Sequence, residues 1–502
     1  MTDTQPTIYV DNVKCRLAGV DKNTANLLSK AFALKVPNYW YSPKYKAGMW
    51  DGTYKFFVRP SNSFPTGLLP KVLDLLAEDY EIVPQIIDQR KDVNKYQLSQ
   101  LSENYKISDV KTARDYQVDT LNKLITNNIN GIPFTRGVVN IATNGGKTSI
   151  AIALIKELYP KLVESNANFL FVTHSKEIAV QAKKSIETDL GIEVGFIGDG
   201  KWDLKPVTVT IVTTLFRRMN KPEFKTLIDN VIGFVADECH HATSNSWYEV
   251  FNSFTNAQIR VGLTGTVDKA NPINEMKLYS CTSEVTNRIS NEYLIENGYS
   301  AKPICVLFNV SEPNLEDEPY QVAYQLGIVD NDYRSDLIAR ICKKETDANN
   351  VVLILVEHIE HGEIISERLK SLNKRVFFTN GQLDSETRQQ LLDDLKNGNI
   401  DILISTAILD EGVDVSGINA IIYARGGKST RKLLQGIGRG LRKKEDGSKL
   451  RFYDFIDDTS AHLLKHSLHR YETLEAENFT IKNFSIEDFE KMTLKEIENG
   501  TF

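Results

Sequence analysis

The sequence predicts an α/β fold: two parallel-sheet domains in tandem, with a small N-terminal α+β domain in front of them. Three observations carry this expectation. From about residue 106 onward, short β-branched runs alternate with longer helical patterns, as in a parallel sheet wrapped by helices. Those runs fall into two series of similar size. The first hundred residues break the rhythm with a cluster of aromatic and basic residues.

In the first series the strands are read at 138–143, 169–173, 208–213, 231–237 and 259–263. The second series has strands at 351–356, 375–378, 402–405, 420–423 and 452–456. Between the series, Asn297-Gly298-Tyr299 and the acidic, proline-containing stretch 311–319 read as a joint or surface excursion. A boundary near residue 300 follows. The expected organisation is an accessory domain at 1–105, α/β domains at 106–300 and 301–470, and an acidic tail at 471–502. No fixed-period repeat is visible.

At 502 residues the chain is too long for one ordinary core. A hydrophobic content of 41% and a charged content of 25% belong to a globular protein. The longest clean apolar runs are far below the roughly 20 residues of a membrane helix. The N-terminus shows neither a basic region nor an apolar stretch, so an intracellular site is expected. Five cysteines lie far apart, without the close pairs of zinc sites, and are read as reduced structural thiols.

The formal charge of −6 is unevenly spread. Residues 471–502 hold eight acids and three bases, which leaves the rest of the chain near neutral. Within that body, residues 438–451 carry six bases against two acids, enough to meet a phosphate backbone.

Three motifs carry the chemistry. Thr143-Asn144-Gly145-Gly146-Lys147-Thr148 follows a strand and opens a helix, as a phosphate loop requires. Its glycines let the backbone approach phosphates, Lys147 neutralises them and Thr148 ligates Mg²⁺. Ile141 stands where the full pattern has its first glycine, which weakens the motif read alone. Ninety residues on, Asp237 and Glu238 follow an apolar strand, at the edge where open α/β sheets bind ligands. Asp237 is expected to hold the metal and Glu238 to orient and deprotonate water, with His240 coupling nucleotide state to a neighbouring segment. In the second series Gln435 precedes Arg439 and Arg442, three apart, whose guanidiniums can reach a γ-phosphate in its transition state.

In order and text these segments resemble the superfamily-2 helicases, whose motor is built from two RecA-like domains. The resemblance covers roughly residues 110–445. It implies ATP and Mg²⁺ as cofactors and adds several roles. Arg114, Tyr116 and Gln117 resemble the adenine-reading element, and Gly412 and Asp414 belong to the ATP-facing part of the second domain. Thr173, His174 and Thr214 resemble strand contacts of the first domain; Thr379, Asn380 and Thr406 resemble those of the second. Thr264 and Thr266 occupy the coupling motif, with Gly265 as a departure at its centre. Ile141 looks like a trait of this motor class, and Asn144 is one of the ATP-binding residues of its loop.

The segment 41–52 with 64–68 is similar to the N-terminal domain of UvsW-type helicases of large tailed phages, enzymes that remodel branched DNA. Lys44, Lys46, Lys55 and Arg59 are the expected phosphate contacts, and Trp40 or Trp50 the stacking candidates. Equally, Trp50 and the phenylalanines can form that domain's core. The resemblance implies a DNA helicase or branch-migration translocase, monomeric, with replication or recombination proteins as partners, in the cytoplasm of an infected bacterium. Two other readings stay open: an RNA-directed remodelling ATPase, and an ATP-gated DNA-binding subunit of a larger assembly such as a restriction complex.

Overall fold

The computed structural model describes residues 5–265, 271–383, 385–406, 417–441 and 449–499. They form two compact units, 1–142 with 146–288 and 289–502 with 143–145.

The first unit begins with a four-stranded sheet in the spatial order Ser63–Pro65, Lys14–Ala18, Thr7–Val10, Gln85–Asp88. Asp21 caps the helix Lys22–Ala31 by accepting from the amides of Asn23 and Thr24. Proline in the first turn of Leu69–Tyr80 pre-sets that helix. Phe56, Phe57 and Phe64 are buried, each contributing roughly 2 kcal/mol of apolar transfer. The aromatic run is thus divided between core and surface, because Trp40, Tyr41 and Met49 remain 50, 70 and 74% exposed.

This N-terminal layer is not the separate domain the sequence suggested. Its apolar cluster, including Ile8, Leu17, Phe57 and Leu76, is continuous with Phe134, Leu170, Phe234 and Trp247. Polar ties follow the same seam: Asn12 Nδ2 donates to the Thr255 carbonyl at 3.0 Å, and Ser283 Oγ to that of Gly67 at 3.0 Å. A Cβ on Gly67 would lie 2.0 Å from the Tyr279 carbonyl, so glycine is what permits this approach.

The large sheet of the first unit contains β1 (Arg136–Ile141), β2 (Asn168–Thr173), β3 (Gly195–Gly198), β4 (Lys201–Asp203), β5 (Val207–Ile211), β6 (Val231–Ala236), β7 (Ile259–Thr264) and β8 (Val285–Ile289). Their spatial order is β4-β3-β5-β2-β6-β7-β1-β8. Every residue of β2, β5, β6 and β7 is buried, the pattern of parallel strands covered on both faces.

The second unit's sheet contains β9 (Ile304–Val310), β10 (Val352–Leu355), β11 (Val376–Thr379), β12 (Ile402–Ser405), β13 (Ala420–Tyr423), β14 (Arg451–Asp457) and β15 (Thr480–Asn483). Their spatial order is β11-β12-β10-β13-β14-β9-β15. Setting aside the edge strands, both sheets have the same parallel core. In chain order its strands lie third, second, fourth, fifth, first: β5-β2-β6-β7-β1 in one and β12-β10-β13-β14-β9 in the other.

All ten strands read from the sequence are present, within one or two residues. The opening strand of the second sheet, β9, was missed although it is almost wholly buried. The expected acidic tail also needs correction. Residues 480–483 pair in parallel with β9 from Ile304 to Leu307, and Phe484, Ile486, Phe489 and Ile497 sit in the second unit's core. Glu487, Asp488, Glu490 and Glu496 are exposed on short helices at Ile486–Lys491 and Leu494–Asn499, while Glu498 pairs with the buried Arg451. Among the described residues no helix is long and apolar enough to cross a membrane.

Candidate functional site

β1 delivers the chain into the loop 143–146, where Asn144 and Gly146 both have φ of 74°. Gly146 then caps the helix Lys147–Ser165. The left-handed conformation favours glycine, and a Cβ there would also stand 2.3 Å from Gln117 Nε2. Gln117 is buried: its Oε1 accepts from the Arg114 amide at 2.9 Å and its Nε2 donates to the Gly146 carbonyl at 3.4 Å. In this arrangement the amide assigned to adenine braces the phosphate loop. Arg114 Nη1 donates to Tyr116 Oη at 2.9 Å, fixing the same turn.

At the end of β6 the Asp237 amide continues the ladder by donating to the Val172 carbonyl at 2.9 Å. Glu238 turns out of the strand with φ of 47°, an unusual conformation for a residue with a side chain. Its carboxylate is held on both sides. Lys147 Nζ lies 2.8 Å from Oε1, and His240 Nδ1 lies 3.3 Å from Oε2. His240 Nδ1 is also 3.1 Å from Thr264 Oγ1 at the end of β7. A chain of contacts, Lys147–Glu238–His240–Thr264, therefore links the helix after β1, the exit of β6 and the exit of β7.

The electrostatics follow from burial. Burial pushes the Glu238 carboxyl up, but the Lys147 ammonium and His240 outweigh it and hold its pKa well below the carboxylate range. Burial and the adjacent Glu238 charge push Asp237 up to about 6, with Lys147 opposing. Burial also works against the Lys147 ammonium, yet Glu238 and Asp237 raise its pKa above the usual value. Two adjacent carboxylates thus share one lysine. Such an under-neutralised pair fits a hard divalent cation, with Asp237 and the Thr148 hydroxyl as oxygen donors. Among the described residues no group of three or more His, Cys, Asp or Glu is placed to hold a metal. The protein would supply a partial shell, the arrangement Mg²⁺ adopts when phosphates and water complete it.

One connection escaped the sequence. The His241 ring lies 4.4 Å from that of His174 and 4.3 Å from that of His240, and Trp247 is 6.3 Å beyond it. His241 therefore bridges the expected strand-contacting residue His174 and the carboxylate site. The only signal in the sequence was its place beside His240.

The expected strand contacts divide. His174 and Thr214 are partly exposed at the exits of β2 and β5. Thr173 and Thr379 are buried at the carboxyl ends of β2 and β11. Asn380, one position later, is partly exposed and accepts from the Gln382 amide at 2.9 Å. Thr406 is buried, its amide donating to the Thr379 carbonyl at 3.3 Å.

In the N-terminal layer Lys44 and Lys46 are exposed on the turn Pro43–Lys46 beside Trp40. Lys55 pairs with Asp51 at 2.7 Å, and Arg59 Nη1 reaches the Lys22 carbonyl at 3.4 Å. Trp50 is occupied structurally, its Nε1 donating to the Thr53 carbonyl at 2.8 Å. Gln435 is buried in the helix Thr430–Gly438, and Arg439 follows as its C-terminal cap. Thr266, Gly412, Asp414 and Arg442 lie outside the described residues.

Two family models match this chain. The type III restriction enzyme res subunit model covers residues 111–269, and the helicase conserved C-terminal domain model covers 334–444. The ATP-dependent DNA helicase uvsW of Enterobacteria phage T4 is 24% identical over 498 residues, 91% of this chain and 95% of that protein. The DNA 3'-5' translocase XPB2 of Sulfurisphaera tokodaii is 24% identical over 379 residues, 68% of this chain and 80% of that protein. Among solved structures, S. cerevisiae Dbp5 bound to RNA and ADP BeF3 has a TM-score of 0.56 at 15% identity, over 78% of this chain and 94% of that one. That likeness concerns the fold alone.

Proposed function

We propose, from the premise that this chain is a superfamily-2 helicase and a nucleic-acid-dependent ATPase, that its motor remodels branched DNA. The observation that carries the finer reading is an exposed aromatic and basic patch, Trp40, Tyr41, Lys44 and Lys46, on a layer that shares its core with the ATPase sheet. A patch fixed in this way moves with the motor. The full-length similarity to a phage DNA helicase agrees with it.

The residues divide the work as follows. ATP is received by the loop 143–148, where its phosphates compete with Glu238 for the Lys147 ammonium. Release of Glu238 from Lys147 leaves its carboxylate, already ionised, free to take a proton from the attacking water. Asp237 and Thr148 would hold Mg²⁺, which would supply positive charge to neutralise the phosphates. Because His240 touches both Glu238 and Thr264, a shift of the carboxylate is transmitted to the exit of β7. Through His241 it is transmitted equally to His174. Arg439, Arg442 and Gln435 carry the transition-state role that their motif implies. Nucleic acid is held through phosphates, so shape selectivity falls to the N-terminal patch.

ATP hydrolysis and strand separation measured with a flush duplex, a fork and a four-way junction test this reading. Stronger stimulation by the fork and junction is expected. Equal stimulation by all three, or preference for a matched RNA, would overturn the branched-DNA assignment.

A further inference from the structure

We propose that Asn287 is a positioning residue for ATP hydrolysis: its side chain ties the stretch where the chain leaves the first unit to the turn Arg114–Gln117, which braces the phosphate loop. ATP binding at the loop 143–148 is its premise.

The chain is fastened on either side of that stretch. Before it, β8 is held along β1: the Val138 amide donates to the Glu284 carbonyl at 2.9 Å, and Thr286 Oγ1 to that of Val138 at 3.3 Å. After it, within the second unit, Asn291 Nδ2 donates to Glu477 Oε2 at 2.7 Å and Asn478 Nδ2 to the Glu292 carboxylate. Arg288, Ile289 and Ser290 lie between, the last two residues of β8 and one more; Arg288 and Ser290 are exposed. Movement between domains is absorbed at element-terminal residues of this kind.

Asn287 stands at the head of these three residues, with both ends of its amide engaged. Its Oδ1 accepts from the Arg288 amide at 3.1 Å, which leaves Nδ2 to donate to Thr120 Oγ1 at 2.5 Å. Thr120 is fully buried, and its hydroxyl donates in turn to the Tyr116 carbonyl at 2.6 Å. A carbonyl only accepts and an amide nitrogen only donates, so the hydroxyl hydrogen has a single orientation. The relay therefore runs from the Arg288 backbone through Asn287 and Thr120 into the first turn of the helix Asp115–Ile125.

Thr120 is three residues from Gln117, one turn away on the same face of that helix. At this turn Arg114 is bonded to Tyr116, and Gln117 to the Arg114 amide and the Gly146 carbonyl. The far end of the helix is held separately. There Asn122 exchanges hydrogen bonds with both backbone groups of Leu101, at 2.7 and 3.0 Å. With that end fixed, a displacement at Thr120 is taken up at the Arg114–Gln117 turn and passed by Gln117 to the phosphate loop.

The test measures steady-state ATP hydrolysis in the full chain. Asn287→Ala and Thr120→Val should each raise KM for ATP about fivefold, the scale of one buried hydrogen bond, with kcat within about twofold. The two together should cost no more than either alone, because one relay is cut once. Asn287→Asp keeps the size of the side chain, but its carboxylate accepts where the amide donated. The Thr120 hydroxyl would then turn away from Tyr116, and KM should rise equally. Thr120→Ser keeps the hydroxyl and should stay within about twofold of the native chain. Lys147→Ala, run in parallel, reads the ATP site by itself. Loss of hydrolysis there beside an unchanged KM in the Asn287 variants would overturn the relay and leave the site standing, whereas hydrolysis retained there would remove both. A lowered urea midpoint with unchanged KM, or losses that add in the double variant, would also overturn the relay.

Discussion

In the first sheet the opening strand leads to Lys147, and the fourth core strand leads to Asp237 and Glu238. In the second sheet the opening strand leads to Glu312, Glu316, Asp317 and Glu318, and the fourth to Arg425 and Lys428. One strand order therefore carries two rims of opposite sign. The comparison teaches that topology alone places a crevice at the carboxyl edge, while a handful of loop residues decide what enters it. A lysine facing two buried carboxylates suits phosphates and a metal.

The sharpest way to break this comparison is to remove one cation from each rim. Lys147→Ala should cost ATP hydrolysis about a thousandfold, the scale of losing a preorganised transition-state donor. Lys428→Ala should leave DNA-free hydrolysis within about twofold. Steady-state phosphate release measures both, and similar losses would erase the distinction between the rims.

Next in size, Arg442→Ala should retain nucleotide binding while turnover falls at least about a hundredfold, as for other transition-state guanidiniums. A fluorescent nucleotide titration run beside the hydrolysis assay separates the two. Weakened binding with normal turnover at saturation would remove Arg442 from the chemistry.

A stability difference should also separate the units. His361 is fully buried in the second unit, and among the described residues neither ring nitrogen has a hydrogen-bond partner. Burial, then Arg334 and His358, bring its pKa down to about 3. The folded protein keeps this ring neutral, while the unfolded chain takes up a proton near pH 6.5. Stability from this group is therefore full above about pH 6.5 and declines as pH falls toward 3, by about 1.4 kcal/mol per unit. Urea unfolding between pH 7 and 5 should show this decline, and His361→Leu should flatten it. An unchanged acid limb in the variant would assign the sensitivity elsewhere.

The smallest effect belongs to the N-terminal patch. Trp40→Ala should weaken junction binding roughly fivefold, less than loss of a fully stacked base contact, because the ring is half exposed. Lys44→Ala and Lys46→Ala should each lower the salt dependence of binding by about one counterion. Fluorescence anisotropy at several salt concentrations reads both.

Legibility followed the range of the interactions. Phosphate loop, carboxylate pair and ten strands were readable because each is written in fewer than ten consecutive residues. The strand at Thr480–Asn483 was hidden because it forms by pairing with Ile304–Leu307, far away in the chain. Its own four residues, Thr-Ile-Lys-Asn, carry little hydrophobic signal.

By itself the sequence determined the fold class, the two-sheet organisation and the groups available for phosphate chemistry, since these depend on local periodicity and short motifs. Tertiary structure decided that the N-terminal layer shares the first core, that the acidic end completes the second sheet, and that Lys147 faces Glu238 while His241 bridges His174 and His240. Those outcomes rest on contacts between distant segments, which sequence periodicity does not encode.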